Sequence, residues 1–308
     1  MVFEAFFQAL GGTPSFQIFE LSDWNPLSRR RKLRKISNPN RPMSILHKRF
    51  VGYLRGLKIK ELLRFATGSR VGTSAVRNVK MHSQNRFFYI LDIKDAFRSV
   101  NLDRLADILI KLDSNLDFQK REEVREFLEK YFFAEYGGLN LGGPASNDLF
   151  NIYAGSVLDD LLRVFLGNLP IEVCYTRYVD DLTFSSKELI TKKIRRAIRE
   201  IVVRQTGFEL SVSKSQFRDL EKKPIFINGV GIKPDHSLFL PRHYLRKIRG
   251  AMHRAMTKGD VSTSVIHGMM GVFYSVNNKD YFSMTASEQK LVSEYARFRN
   301  STTRLLNH

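Results

Sequence analysis

Asp180 and Asp181 are adjacent carboxylates set between two short runs of β-branched and aromatic residues: Tyr175-Thr176-Arg177-Tyr178-Val179 before them and Leu182-Thr183-Phe184-Ser185 after. The flanks predict a strand over 173–179 and a second over 182–185. Asp tolerates tight-turn geometry, so the pair is expected at a hairpin tip. Hard cations such as Mg²⁺ take carboxylate oxygens and keep positions open for water and phosphate. An Asp-Asp pair alone is most often an ordinary surface turn. Here two features argue for chemistry. The flanks are apolar strands that aim the pair from buried structure. Upstream, Phe88-Tyr89-Ile90-Leu91-Asp92-Ile93-Lys94-Asp95-Ala96-Phe97 is a second β-rich run that ends on a carboxylate, Asp92, before a turn into a helix. Asp92 and Asp180 on neighbouring strands could share two metal ions about 3.5–4 Å apart, the arrangement that stabilises attacking and leaving oxygens in phosphoryl transfer.

The rest of the chain must hold those carboxylates and supply a partner. With 308 residues, 43 % of them hydrophobic, the chain can bury a real core as one large domain or a few lobes. The formal net charge of +19 is spread along the sequence and calls for a polyanion. Nucleic acid is the leading candidate and an anionic membrane surface the second. Cys174 is the only cysteine, which excludes a disulfide framework and fits a reducing cytosol. No run of 18 apolar residues exists, so no transmembrane helix is expected. Residues 1–10 are apolar but carry Glu4 and lack a basic leader, and are read as an amphipathic helix rather than a signal peptide.

In chain order, the first helix is followed by a Gly11-Gly12-Thr13-Pro14 break, a turn at Trp24-Asn25-Pro26-Leu27 and the basic run 29–35. Such a run is often a solvated face; its functional reading is that Lys32 or Arg34 touches phosphates, which guanidinium forks match in shape. Residues 43–66 have helical spacing, and 68–74 form a Gly-Ser loop. His82 has no Cys or His cluster around it, so it is read as a structural hydrogen-bonding residue and zinc is rejected. Charged helices are expected over 103–111 and 121–131. The glycine-dense segment 137–146 opens an apolar helix over 149–165, where loop N–H groups could face phosphate or a base pair. A basic helix over 191–203, a strand over 210–215 ending near Lys214, and a hairpin over 224–232 follow. Residues 242–306 read as a basic helical lobe, with Arg242, Arg246, Lys247 and Arg249 near its start, suited to gripping a duplex backbone.

Taken in order, the basic element, the carboxylate strand, the Gly-Pro-Ala-Ser loop, Tyr-Val-Asp-Asp and the later lysine resemble reverse transcriptases. The nearer resemblance is to the bacterial retron-type branch. Asn78-Val79-Lys80-Met81-His82 is similar to its Asn-Ala-x-x-His element, and 175–185 to its Tyr-Thr-Arg-Tyr-x-Asp-Asp-Leu-Thr-x-Ser strand pair. Residues 207–215 are similar to its Gly-Leu…Asn-x-x-Lys-Thr segment. Ile227-Asn228-Gly229-Val230 with Leu240-Pro241-Arg242-His243-Tyr244 is similar to its Val-Thr-Gly element and the following segment. The resemblance spans roughly residues 30–300.

It implies an α+β right-hand polymerase: a helical N-terminal extension (1–28), interleaved fingers and palm with an antiparallel sheet (29–235), and a helical thumb (236–308). By matching positions, Asp92, Asp180 and Asp181 are the catalytic carboxylates and ligands of two Mg²⁺ ions. Lys32, Arg34 and Lys214 fall near the nucleotide triphosphate, with Lys214 a candidate acid toward departing pyrophosphate. Phe97 falls where the family places an aromatic under the sugar that excludes a 2′-hydroxyl. Asn78, His82, Arg242, Arg246, Lys247 and Arg249 are expected on RNA or DNA. Three positions depart from the family. Leu141 stands where a glutamine is usual, and its neighbour Asn140 is the candidate substitute toward the nucleotide; Asn228 replaces a threonine and Ala96 the commoner phenylalanine.

The implied activity is RNA-directed DNA synthesis. A structured noncoding RNA serves as template and primer, dNTPs are consumed, and the single-stranded DNA product stays linked to the RNA (msDNA). The setting is the bacterial cytoplasm, away from membranes, in antiphage defence with an associated effector protein. The alternatives are a defence-associated or diversity-generating reverse transcriptase of another branch, template-free or protein-primed, and a non-catalytic RNA-binding scaffold on the same fold.

Overall fold

The structure is a computed structural model that describes residues 3–25, 30–113, 116, 120–257, 261–277 and 280–306. The chain folds as two compact units. One is drawn from 1–73, 89–184 and 190–216, the other from 74–88, 185–189 and 217–308.

The first unit begins with a 3-10 turn, Glu4–Phe7, followed by a long antiparallel hairpin, β1 (Phe16–Asn25) and β2 (Arg30–Pro39). The expected helical extension is therefore a single turn and a strand. Phe3 stacks on Phe127 with ring centroids 4.1 Å apart, and Phe6 meets Phe50 and Tyr53 edge-on, so this segment packs on the core. Helix α1 (Arg41–Gly56) starts where Asn40 Oδ1 accepts the Met43 N–H at 2.9 Å, and its buried face is Met43, Leu46, Phe50 and Leu54, at helical spacing. α3 (Leu102–Leu112) is capped by Asn101 and packs against α4 (Arg121–Phe132).

α5 (Ser146–Ala154) and α6 (Asp160–Gly167) are one rod joined by a π turn, Gly155–Asp159. Leu149, Phe150, Ile152, Tyr153, Ala154, Val157, Leu158 and Leu162 are all buried, which places this rod at the centre of the core. Strands β4 (Cys174–Tyr178) and β5 (Asp181–Ser186) form the predicted hairpin, shortened at its start, with Val179 and Asp180 in the turn. With β3 (Phe87–Asp92) and β6 (Gln216–Asp219) they make a four-stranded sheet in the order β4-β5-β3-β6. The basic helix α7 (Lys192–Glu200) continues into a π turn through Gln205. The strand expected over 210–215 is instead one antiparallel bridge, Leu210 to Ile93, and a turn in which Ser215 N–H bonds back to Ser211.

In the second unit, α2 (Ala75–His82) is capped by Ser74, and a three-stranded sheet runs β7 (Ile225–Ile227), β8 (Val230–Ile232), β9 (Leu238–Phe239). Helices α8 (Arg242–Thr257), α9 (Thr263–Val276) and α10 (Ala286–Leu306) follow; α8 packs against both of the others. Arg249 on α8 donates to Glu294 on α10 at 3.0 Å and to Ser287. No described helix is long and apolar enough to cross a membrane.

Candidate active site

Backbone pairing brings the carboxylates together. Asp92 ends β3, and the next residue, Ile93, donates its N–H to the Asp180 carbonyl at 2.9 Å. On the other side, Ser211 N–H bonds the Asp92 carbonyl at 2.9 Å, which carries the 211–215 turn and Lys214 to the same point. Lys214 Nζ then donates to Asp92 Oδ2 at 2.6 Å. Residues far apart in sequence thus meet because three neighbouring chain segments end at one level.

These groups line a cavity of 370 Å³. Asp92, Asp180, Lys214 and Ser211 are on its wall together with Ile93 to Arg98, Leu139 and Leu141; Glu20, Leu33, Arg34 and Lys35 come from the β1–β2 hairpin. Tyr136 closes one side, with the Arg98 guanidinium 4.9 Å and the Lys35 ammonium 5.7 Å from its ring centre.

Burial pushes the Asp180 carboxyl above its usual range, helped by the nearby Asp92 charge, while Lys214 and Arg34 pull the other way. Asp181 is pushed up to about 7 by burial and by the charges of Asp180 and Asp92. Partial burial works against the Lys214 charge, but the bond to Asp92 and the charges of Asp180 and Asp181 outweigh it, so the ammonium holds its proton more tightly than usual. Among the described residues no three His, Cys, Asp or Glu already converge to enclose an ion. The chemistry of the site nevertheless fits a divalent cation. Its acidic donors are all oxygen, and burial together with mutual repulsion disfavours the charged forms of two crowded carboxylates, a cost that a cation would relieve.

The expected nucleotide contacts divide. Arg34, Phe97 and Lys214 line the cavity. Phe97 is half-buried and packs on Phe150 at 5.3 Å, so it keeps one face for the cavity and one for the core. Its carbonyl accepts the Leu139 N–H at 2.8 Å, an approach that needs glycine next door: at Gly138, with φ +71°, a Cβ would lie 2.3 Å from Arg98 Cα. The Lys32 side chain lies outside the described residues. Asn140 does not serve as expected. It is buried, accepts from Ser37 Oγ at 2.8 Å and donates to the Phe133 carbonyl at 3.0 Å, so its amide is spent on tying the Gly-rich loop to β2 and α4. Leu141 faces the cavity in its place, while its carbonyl accepts the Ser37 N–H at 2.7 Å.

In the second unit, Asn78 and His82 are fully buried, against the expectation that they contact nucleic acid. Asn78 Nδ2 donates to Asn228 Oδ1 at 2.6 Å, and His82 Nδ1 bonds Ser185 Oγ at 2.7 Å, the structural role the isolated histidine suggested. Arg249 is likewise tied within the helical lobe, whereas Arg242, Arg246 and Lys247 are exposed.

Sequence reasoning missed Glu20, Lys35, Arg98 and Tyr136. Lys35 was hidden in the basic run; Tyr136 carries no local signal, since its flanking cations come from residues 98 and 35.

The family described as reverse transcriptase (RNA-dependent DNA polymerase) matches residues 25–232, and the chain belongs to it. It is an RNA-directed DNA polymerase. Similar proteins include the retron Ec73 reverse transcriptase of Escherichia coli, 23 % identical over 67 % of this chain and 70 % of that protein. The retron Mx65 reverse transcriptase of Myxococcus xanthus is 27 % identical over 76 % of this chain and 56 % of that protein. The chain is thus a reverse transcriptase of the bacterial retron type. Among solved structures, telomerase from Candida albicans, determined with the TWJ fragment of telomeric RNA, superposes with a TM-score of 0.52 at 13 % identity, covering 94 % of this chain and 59 % of the telomerase chain. That likeness is one of fold, the right-hand polymerase. Reverse transcriptases use divalent metal ions, in keeping with the donor set at Asp92, Asp180 and Asp181.

Proposed function

We propose that this chain copies a structured noncoding RNA, which is both template and primer, into short single-stranded DNA that stays linked to the RNA. The observation that carries the reading is the meeting of Asp92, Asp180 and Lys214 on the lining of one cavity that Arg34 and Lys35 of the basic hairpin also line. Asp92 and Asp180, with Asp181 beside them, would hold two Mg²⁺ ions. When bound, these would lower the pKa of the attacking hydroxyl and neutralise charge on the triphosphate.

The chain's own residues do the rest. Arg34 and Lys35 line the same cavity as the carboxylates and would meet the phosphates of an incoming dNTP. Lys214 stays protonated at Nζ at any working pH and is placed to give that proton to the leaving pyrophosphate. Phe97 lies under the sugar and leaves no space for a 2′-hydroxyl. Exposed Arg242, Arg246 and Lys247 neutralise duplex phosphates. The product serves antiphage defence in the bacterial cytoplasm together with an effector protein.

Nucleic acid from cells carrying the gene with its flanking DNA tests the reading. A short DNase-sensitive species that shifts on RNase treatment and maps to the flanking locus is expected, and Asp180→Ala abolishes it while leaving folding and RNA binding intact. A product made equally by Asp180→Ala would sink the proposal. The apolar Leu141 at the cavity, where the family usually has an amide, favours a second reading, a polymerase of another branch with relaxed template use. Homopolymeric or random product sequence would select it.

A further inference from the structure

Behind the Asp180-Asp181 turn lies an ion pair that none of the chemistry above uses. Arg177, on β4, is completely buried, and so is Asp159, at the end of the π turn between α5 and α6. Arg177 Nε donates to Asp159 Oδ1 at 3.0 Å and Nη2 to Oδ2 at 2.9 Å. The remaining donors are used as well. Nη1 reaches Asn151 Oδ1 at 2.8 Å and the Val179 carbonyl at 3.1 Å, and Nη2 the Asn151 carbonyl at 3.1 Å. Tyr175 Oη donates to Asp159 Oδ1 at 2.7 Å.

Two features say that this network is about position. Desolvating a charged pair costs about as much as the pair returns, so the pair itself adds little to core stability. And the group at the end of the network is strained: Val179, a β-branched residue, has φ +60°. It is the residue immediately before Asp180. The loop on its other side is equally close, since a Cβ on Gly68 would lie 2.8 Å from Val179 N, and the Gly68 carbonyl is held by Asn151 Nδ2 at 3.0 Å. The π turn has a part in this. Without its extra residue, the rod would present a different side chain to Arg177.

We propose that Arg177, Asp159 and Asn151 form a positioning clamp that holds Val179 in the left-handed conformation and thereby fixes where the Asp180 carboxylate stands. The proposal rests on the metal-ion reading of Asp92, Asp180 and Asp181. Arg177 touches no reacting atom; it acts through the Val179 carbonyl. Lysine at 177 keeps the charge but cannot bond Asp159, Asn151 and Val179 together.

The test uses the full chain and two variants. Arg177→Met with Asp159→Leu replaces the pair by apolar groups of similar volume and is expected to fold with a lower melting temperature, because Tyr175 Oη and Asn151 Oδ1 lose their buried partners. Three changes are expected in it: faster amide exchange at Val179 to Asp181, at least tenfold weaker Mn²⁺ binding to the nucleic-acid-free protein, and kcat lower by on the order of 100-fold with KM for dNTP little changed. Adding Val179→Gly, which removes the need for a clamp because glycine adopts positive φ freely, recovers at least tenfold of the lost kcat. Parent-like exchange and Mn²⁺ binding in the double variant would overturn the proposal, and so would the absence of any gain from glycine. The exchange measurement needs no catalysis. A parent chain that extends no primer would therefore count against the metal-ion reading and not against the clamp.

Discussion

Protonation of His47 should cost the first unit stability between pH 6.5 and pH 4, a range in which the raised Asp181 carboxyl also titrates with the opposite sign, so a His47 variant is needed to isolate it. The imidazole is fully buried, with Nε2 2.8 Å from the Tyr131 carbonyl and Nδ1 3.3 Å from the Ala145 N–H. These partners fix the tautomer: Nε2 carries the proton and donates, Nδ1 accepts. A second proton has to go on Nδ1, where it would face another donor in a desolvated site. Burial accordingly lowers the pKa from 6.5 to about 4, against a smaller opposite pull from the Tyr131 carbonyl. The unfolded chain binds the proton near pH 6.5 and the folded chain near pH 4, so stability is intact above pH 6.5 and falls as the pH drops between the two values. The loss from this one group is about 2 kcal/mol at pH 5 and about 3 kcal/mol at pH 4, against a few tenths at pH 7. At pH 5 that is a folded-to-unfolded ratio about 30-fold smaller. Urea titrations at pH 7 and pH 5, followed by far-UV circular dichroism, measure it. His47→Gln keeps a donor for Tyr131 but cannot titrate, and its pH 7-to-5 loss should be smaller than the parent's by about 2 kcal/mol. An unchanged loss in His47→Gln would refute the argument. The site has functional weight because the same ring supports the Gly-rich loop: a Cβ on Gly143 would lie 3.0 Å from His47 Cε1.

His82, buried in the second unit with its pKa likewise lowered to about 4 by desolvation, should give a loss of the same sign and size; His82→Gln should remove it in the same titrations. Gly138→Ala puts a methyl 2.3 Å from the Arg98 backbone at a positive φ, and should destabilise the first unit by about 3 kcal/mol or more in a urea titration at pH 7. Phe97→Val opens space beneath the sugar, and steady-state incorporation should show discrimination against ribonucleotides falling by roughly 10- to 200-fold. Lys214→Gln removes both the counter-charge on Asp92 and the proton donor, and single-turnover incorporation should slow by on the order of 100-fold with the primer–template Kd little changed.

The carboxylate strands were legible because the chemistry and the fold share one local signal. Leu91-Asp92 and Val179-Asp180 end runs whose β-branched and aromatic residues mark a strand, and a carboxylate at the end of such a run stands where the chain leaves the strand. The β1–β2 hairpin gave no such signal. In β2, residues 30–35 are nearly all cationic, so no period-two pattern survives; in β1, Ile18, Phe19 and Leu21 are all exposed, so no buried face imposes alternation. A two-stranded ribbon whose apolar side chains stay exposed is held by its backbone ladder, to which side-chain pattern is blind. Lys214 lines the cavity but was expected on a strand, because Leu210-Ser211-Val212-Ser213 alternates; the chain turns there instead, with Lys214 and Ser215 both bonding back to Ser211. Asn140 failed for the opposite reason. Its neighbours suggested a side chain free to reach a nucleotide, yet its partner Ser37 is 103 residues away and claims the amide. The clamp at Arg177 belongs with this last case. Its five donors are all satisfied by Asn151 and Asp159 of the rod and by the Val179 carbonyl, and sequence marks only that an arginine sits where a buried strand should carry an apolar side chain. A charged residue in a run that the fold must bury is therefore the sequence feature that points to long-range structure. Among the described residues Asp92, Asp159 and Arg177 are buried in this way, and each lies at the Asp180-Asp181 turn or in the network behind it.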